Sequence, residues 1–247
     1  MNIVLDRVAV RVGVDGRAEP KTLLEGLSLE LAERRIGVIG ANGSGKSTLL
    51  RLLNGLVLPS SGTVLVGGTD TVRGVREVRR RVGFVFTDPL SQLVMPTGRE
   101  DVELSLRRSV RKAAERRRQA EATLDRFGLL PLADQSVYEL SGGERQLLAL
   151  AAVLAVDPEV LVLDEPSTLL DLRNRELLRR TLAGLSQHVV LSTHDLELAQ
   201  DMDRVLVVDG GRVVFDGDPA TAVGHYRALS AAGLERHAAD ASHTEQR

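Results

Sequence analysis

Short unbroken apolar runs recur along the chain, at Ile36 to Ile39, Val82 to Phe86, Val160 to Leu163, Val189 to Leu191 and Val205 to Val208. None alternates with polar residues, so each predicts a strand covered on both faces, as in a parallel sheet. Between them stand segments with helical spacing: Ser47 to Leu56, Gly143 to Val156, Leu172 to Leu185 and Leu196 to Asp201. This alternation of strand and helix predicts an α/β domain.

Two regions depart from the pattern. Near the N-terminus Val4, Val8, Val10 and Val12 alternate with polar positions, as do Leu27, Leu29 and Leu31, which predicts an antiparallel sheet. From Pro89 to Leu140 the pattern is helical alone. Thr97 and Glu100 have capping-box spacing, and Glu103 to Phe127 holds few β-branched residues, so an inserted helical subdomain is expected. From about Ala231 the chain is polar and rich in small residues, which predicts a frayed tail. The expected organisation is one domain over 1–225, with its core in 1–88 and 140–225, a helical subdomain over 89–139 and a tail over 226–247.

Composition narrows the function. The 247 residues, 43% hydrophobic and 27% charged, suffice for a full core. The longest apolar stretch, Leu147 to Val156, has ten residues, against the roughly 20 of a membrane-spanning helix. Asp6 and Arg7 interrupt the first residues where an export signal needs an apolar core, so a cytoplasmic protein is expected. There is no cysteine, which excludes disulfides and thiolate metal sites, and a net charge of −2 gives no global pull toward nucleic acid. The basic run 107–118, with seven cations and one acid, reads first as a solvated helix face.

The chemistry lies in three motifs. Gly40-Ala41-Asn42-Gly43-Ser44-Gly45-Lys46-Ser47 follows a strand and opens a helix, the context of a phosphate-binding P-loop. Its backbone N–H groups would wrap phosphate oxygens, Lys46 would reach the β- and γ-phosphates and Ser47 would hold Mg²⁺. Gly40, Asn42, Gly43, Ser44, Gly45, Lys46, Ser47 and Thr48 are therefore the candidate ATP contacts. Leu161-Val162-Leu163-Asp164-Glu165 ends a buried strand in two carboxylates, which is costly unless they meet a cation or a reactant. Asp164 then suits the Mg²⁺ shell and Glu165 an attacking water. The third motif, Leu140-Ser141-Gly142-Gly143-Glu144, opens an apolar helix.

The three together, in this order, resemble the ATP-binding cassette family. That resemblance implies a P-loop core of the RecA-like kind with an antiparallel β-subdomain and an inserted helical subdomain, ATP and Mg²⁺ as cofactors, and ATP hydrolysis. It implies that Ser141, Gly142, Gly143 and Glu144 complete the ATP site of a second subunit. Ser167 to Asp171 looks like the D-loop, with Asp171 at its end, and His194 like the switch histidine contacting the γ-phosphate. Two positions depart from the family. Val10-Arg11-Val12 stands where an aromatic residue stacks on adenine, so either the base is held weakly or Arg11 stacks on it. Thr87 stands at the Q-loop position where the family has glutamine.

The stretch Phe86-Thr87-Asp88-Pro89-Leu90-Ser91-Gln92 and the absence of membrane spans resemble the ATPases of energy-coupling-factor importers for vitamins and cobalt, most closely the biotin branch. The resemblance implies an ATPase dimer, with itself or a paralogue, at the cytoplasmic face of the membrane. It also implies a transmembrane coupling protein and a small substrate-capture protein as partners, and no nucleic acid. Asp88, Glu100, Asp101 and Glu103 are the acidic candidates for docking the coupling protein. Two other functions stay open: a soluble ATPase acting on nucleic acid or protein, favoured by the basic run, and a weakly hydrolysing regulator, favoured by Thr87.

Overall fold

The computed structural model describes residues 1–13 and 19–244. Strands β1 (Ile3–Val12) and β2 (Lys21–Leu31) pair antiparallel, with Ile3 opposite Leu31 and Val10 opposite Leu24. The chain then enters the core as β3 (Arg35–Ile39) and α1 (Lys46–Leu52), and returns to the first sheet as β4 (Ser61–Val66) and β5 (Thr69–Asp70), giving the order β2-β1-β4-β5. This is the expected antiparallel subdomain.

The second sheet takes β6 (Val82–Val85) after the short helix α2 (Val75–Arg81), then α3 (Gly98–Leu106) and α4 (Ala113–Arg126) form the helical insertion. The alternation resumes with α5 (Gly142–Leu154), β7 (Val160–Asp164), α6 (Leu172–Gly184), β8 (His188–Ser192), α7 (Leu196–Gln200) and β9 (Arg204–Asp209). Strand β10 (Arg212–Gly217) and helix α8 (Pro219–Thr244) end the described chain. The order is β10-β9-β3-β8-β7-β6, parallel except for β10, which forms an antiparallel hairpin with β9.

The unbroken apolar runs follow from two cores on opposite faces of this sheet. Val160 and Val162 of β7 pack with the N-terminal sheet and α1, in a cluster with Ile3, Leu24 and Leu50. Leu161 and Leu163, alternating with them, pack in the other cluster with Leu148 of α5 and Leu178 of α6. β3 and β8 divide in the same way, with Ile36, Val38 and Val190 on the first face and Ile39, Val189 and Leu191 on the second. The strands are thereby fixed in register from both sides.

The helical insertion reverses direction between Leu106 and Ala113. Arg107, Arg108, Arg111 and Lys112 crowd that segment with like charge, and the reversal it makes lets Arg116 of α4 reach Glu103 of α3 at 3.7 Å and donate to the carbonyl of Val110 at 3.2 Å. Arg117 and Arg118 pair with Glu121 and Glu115, so with Arg116 three of the seven cations of the basic run are engaged within the subdomain. Where a frayed tail is expected from about Ala231, the backbone of α8 continues as helix to Thr244, and residues 245–247 lie outside the described residues. The small residues of this stretch are mostly alanine, the strongest helix former.

His188, at the start of β8, is buried and its Nε2 has no hydrogen-bond partner. Burial pushes its pKa below the ordinary value, helped by the Met1 ammonium group and opposed by Glu33. A histidine that binds its proton more readily when unfolded leaves stability complete above about pH 6.5 and erodes it as the pH falls further. Thermal melts from pH 7.5 to 5.5 should show that decline, and His188→Leu should flatten it; parallel curves for the two proteins would show that other groups set the acid limit.

Candidate functional site

The parallel strands carry their loops to one edge of the sheet, where a cleft of about 590 Å³ opens. Its floor is the loop between β3 and α1. Gly40 adopts φ +154°, and a Cβ there would lie 2.1 Å from the Val208 carbonyl oxygen. At Gly45, φ +113°, a Cβ would lie 2.8 Å from Leu24 Cδ2 and 3.0 Å from the Leu23 carbonyl oxygen. Only glycine fits both turns. Asn42, Gly43, Ser44, Gly45, Lys46, Ser47 and Thr48 all line the cleft.

Lys46 is 6% exposed, and its ammonium group donates to the carbonyls of Gly40 at 2.8 Å and Ala41 at 3.1 Å. It also lies 3.7 Å from Glu165 Oε1. Burial lowers its pKa although Glu165 and Asp164 oppose the shift. The loop thus holds a cation ready for an anionic ligand.

β7 delivers the two carboxylates. Asp164, 1% exposed, accepts hydrogen bonds at Oδ1 from the Ser47 hydroxyl at 2.9 Å and the Ser192 hydroxyl at 2.8 Å. Glu165 adopts φ +52°, a left-handed conformation that costs a non-glycine residue about 1–3 kcal/mol. The turn presents its backbone N–H to the Ser192 hydroxyl at 3.0 Å. Its carboxylate accepts from the backbone N–H of His194 at 3.0 Å, and His194 Nε2 lies 3.1 Å from Oε1. Burial raises the Glu165 pKa, with His194 and Lys46 holding the rise in check. A carboxylate shifted toward neutrality and facing a cleft has the character of a general base.

Thr87, at the end of β6, is exposed on the wall of the same cleft. The peptide groups of Phe86 before it are held by two glutamines: Gln92 Oε1 accepts from the Phe86 N–H at 3.2 Å, and Gln146 of α5 donates to the Phe86 carbonyl at 3.5 Å. Gln92 also donates to the carbonyl of Ala149 in α5, at 3.4 Å. At the far end the cleft is lined by Lys21, Thr22, Leu23, Gly210 and Gly211. Arg11, a candidate for stacking on the base, lies outside the lining, and its backbone N–H is bound by the Ser60 hydroxyl. No phenylalanine, tyrosine or tryptophan lines the cleft among the described residues.

Ser141, Gly142, Gly143, Glu144 and Asp171 line no part of this cleft. Ser141 caps α5: its hydroxyl accepts from the Glu144 N–H, and the Glu144 carboxylate accepts from the Ser141 N–H at 2.7 Å. Asp171 caps α6 by accepting from Asn174 N–H at 2.8 Å. Of the acidic docking candidates, Asp101 is buried and accepts from the N–H groups of Val94 and Met95. Glu100 binds the Thr97 hydroxyl and Glu103 faces Arg116, which leaves Asp88 exposed beside Thr87.

Sequence reading missed Ser192, Arg51, Gln92 and the lining at Lys21 to Leu23 and at Gly210-Gly211. Ser192 stands inside Leu191-Ser192-Thr193-His194-Asp195, where the histidine drew the attention; a hydroxyl ending an apolar strand beside two carboxylates was the available signal. Gly210-Gly211 marks the β9–β10 hairpin, a readable turn.

A two-layered α/β sheet with a glycine loop, a buried lysine and two carboxylates at the strand ends defines a P-loop nucleotide-hydrolysing protein. The family model described as ABC transporter matches residues 24–168, and the chain belongs to that family. It is an ATPase whose hydrolysis is coupled to transport. It is 43% identical to the biotin transport ATP-binding protein BioM of Rhizobium etli, over 94% of this chain and 100% of that protein. It is 38% identical to the energy-coupling factor transporter ATP-binding protein EcfA1 of Halalkalibacterium halodurans, over 81% of this chain and 74% of that protein. Among solved structures, cbiO1 of Clostridium perfringens, part of the ABC transporter complex cbiONQ, matches with a TM-score of 0.76 and 28% identity over 94% of each chain. The ATP-binding cassette MJ0796, in a dimeric post-hydrolysis state with ADP and phosphate, matches with a TM-score of 0.80 and 28% identity, over 88% of this chain and 98% of that one.

Ser192→Ala removes the second donor to Asp164 and one of two acceptors for the Glu165 N–H, which keeps the Ser192 carbonyl at 3.2 Å. Urea unfolding should show a loss of about 1–3 kcal/mol. A loss below about 0.5 kcal/mol, the size of a neutral surface change, would show that Ser47 satisfies Asp164 unaided.

Proposed function

We propose that this chain is the ATP-hydrolysing subunit of an energy-coupling-factor importer for a vitamin, with biotin the leading candidate, and that ATP powers it by closing an ATPase dimer. The observation that carries this reading is the division of the candidate residues. Lys46, Ser47, Thr87, Glu165 and His194 share one cleft, whereas Ser141 to Glu144 and Asp171 lie outside it. A cleft built from one half of the motifs is completed by the other half on a second subunit, the same chain or a paralogue. The names of BioM, EcfA1 and the cbiONQ complex support the transport class and, through BioM, the solute.

In this reading the loop Gly40 to Thr48 binds the phosphates of ATP through its N–H groups, and Lys46 neutralises the β- and γ-phosphates. Glu165 orients a water for attack on the γ-phosphorus and takes its proton as the bond to ADP breaks; His194, braced against Glu165, contacts the γ-phosphate. Ser141 and the amides of Gly142 and Gly143, from the partner, close over that phosphate, and Asp171 sits at the same interface. Among the described residues no three histidine, aspartate or glutamate side chains gather as a metal site. The protein instead offers the Ser47 hydroxyl and Asp164, whose buried Oδ2 lacks a hydrogen-bond partner. That pair fits Mg²⁺, which keeps waters and takes phosphate oxygens. Bound there, Mg²⁺ would neutralise charge on the β- and γ-phosphates.

No helix among the described residues is long and apolar enough to cross a membrane. The membrane-spanning work therefore falls to a coupling protein and a small substrate-capture protein, with this chain peripheral at the cytoplasmic face. Asp88, exposed beside Thr87 with its Oδ1 accepting from the Leu90 N–H at 3.1 Å, is the acid placed to meet the coupling protein. The nucleic-acid alternative loses support because Arg116, Arg117 and Arg118 are engaged with acids of their own subdomain.

Two measurements test the reading. In the assembled membrane complex Glu165→Gln should stop hydrolysis while stabilising the closed dimer, since a general base contributes about 10²- to 10⁴-fold. Thr87→Gln should change the rate by less than about tenfold, because a water bridging from threonine costs only about 0–2 kcal/mol. A complex that binds ATP without Glu165-dependent turnover would replace the motor with a nucleotide-dependent regulator.

Mixing Lys46→Ala and Ser141→Arg chains should create heterodimers with one intact composite site. Their turnover should exceed that of either variant alone. Equal inactivity of the mixture would remove the shared site.

A further inference from the structure

The two oxygens of Asp164 have unequal surroundings. Oδ1 accepts from two hydroxyls, those of Ser47 and Ser192. Oδ2 is buried without a hydrogen-bond partner, and the cation facing it is the guanidinium of Arg51, with Nη2 at 3.8 Å. A buried carboxylate oxygen left alone is expensive, and an opposite charge beside it offsets much of that cost.

The geometry comes from α1. Ser47 and Arg51 are four residues apart, so they project from the same face of the helix, one turn apart. The helix thereby aims a hydroxyl at one oxygen of Asp164 and a cation at the other. Lys46 cannot serve in place of Arg51, since its ammonium group is held by the Gly40 and Ala41 carbonyls and turned toward Glu165. Among the described residues Arg51 is the one cation that forms an ion pair with Asp164.

The Arg51 side chain is 44% exposed while Asp164 is 1% exposed. The guanidinium can therefore swing into water without opening the core, whereas the carboxylate cannot follow it. We propose that Arg51 is a positioning residue, a resident counter-ion that holds the Asp164 carboxylate oriented while no divalent cation is bound and withdraws when one arrives. This inference rests on the reading of Ser47 and Asp164 as the divalent-cation site. Arg51 and the incoming cation compete for the same oxygen. The arginine thus stabilises the metal-free chain and weakens cation binding at once.

The test uses the whole chain with Arg51→Met, which keeps the apolar stem, and Arg51→Lys, which keeps a charge. In EDTA without nucleotide, Arg51→Met should melt about 2–4 °C lower than the unaltered chain, with Arg51→Lys between them. In an Asp164→Asn background the same change should have no effect, because the charge it serves is gone. Titrating Mg²⁺ into each protein with a fluorescent ADP analogue should give a midpoint at least about threefold lower for Arg51→Met, a difference on the scale of partly exposed charge pairs. An unchanged melting temperature together with an unchanged Mg²⁺ midpoint would make Arg51 an ordinary surface charge. A raised Mg²⁺ midpoint would overturn the proposal in another way, by assigning Arg51 to the phosphates. A chain that binds no nucleotide would sink the ATPase reading itself, and the melting comparison in EDTA would still decide the pairing of Arg51 with Asp164.

Discussion

Two adjacent carboxylates at the buried end of β7 constrain everything around them. Asp164 and Glu165 are 1% and 9% exposed, and two carboxylates buried side by side are costly unless donors or cations surround them. Strand β8 lies beside β7, and its last residue, Ser192, serves both acids. The loop into α1 brings Lys46 and Ser47 from the opposite side. His194, two residues beyond β8, closes the ring with its backbone N–H on Glu165. The strand order β3-β8-β7 is what lets these three segments converge.

Rigidity is the second requirement, and the double core supplies it. A site whose distances must hold to fractions of an ångström cannot hang from a strand that slips or rocks. Because β3, β7 and β8 each send alternate side chains into separate hydrophobic clusters, a slip of one residue would exchange their faces. The strained backbone at Glu165 is tolerable in that setting, since its neighbours over-determine it.

The same logic explains what could be read from the sequence. β3, β6, β7, β8 and β9 were legible because a strand buried on two faces must be continuously apolar. The cleft residues were legible because phosphate and cation chemistry demand particular groups at particular spacings. α2 was not, since Val75 to Arg81 buries only Val78 and is otherwise dominated by charge. β10 hid for a related reason: it is an edge strand, partly exposed along its length, with Arg212 and Asp216 paired to Glu25 and Arg204. The break between α3 and α4 depends on Arg116 reaching back to Glu103, a tertiary contact that no local pattern announces. Arg51 was invisible because an arginine in the last turn of a helix is ordinary until a buried carboxylate is found facing it.

Thr87 is where these threads meet. A glutamine at position 87 would reach further into the cleft than threonine does. The hold on the segment that follows does not run through residue 87. Gln92 and Gln146 hold the N–H and carbonyl of Phe86, and Gln92 continues to the Ala149 carbonyl of α5, the helix that Ser141 caps. Asp101 of α3 fixes Val94 and Met95 in the same segment. Each such hydrogen bond is worth about 0.5–1.5 kcal/mol, so together they outweigh what a single side chain at the cleft wall contributes. The position of this segment relative to α5 is therefore set by the backbone of Phe86. Threonine at 87 shortens the reach into the cleft without releasing the segment from α5, the helix that Ser141 caps.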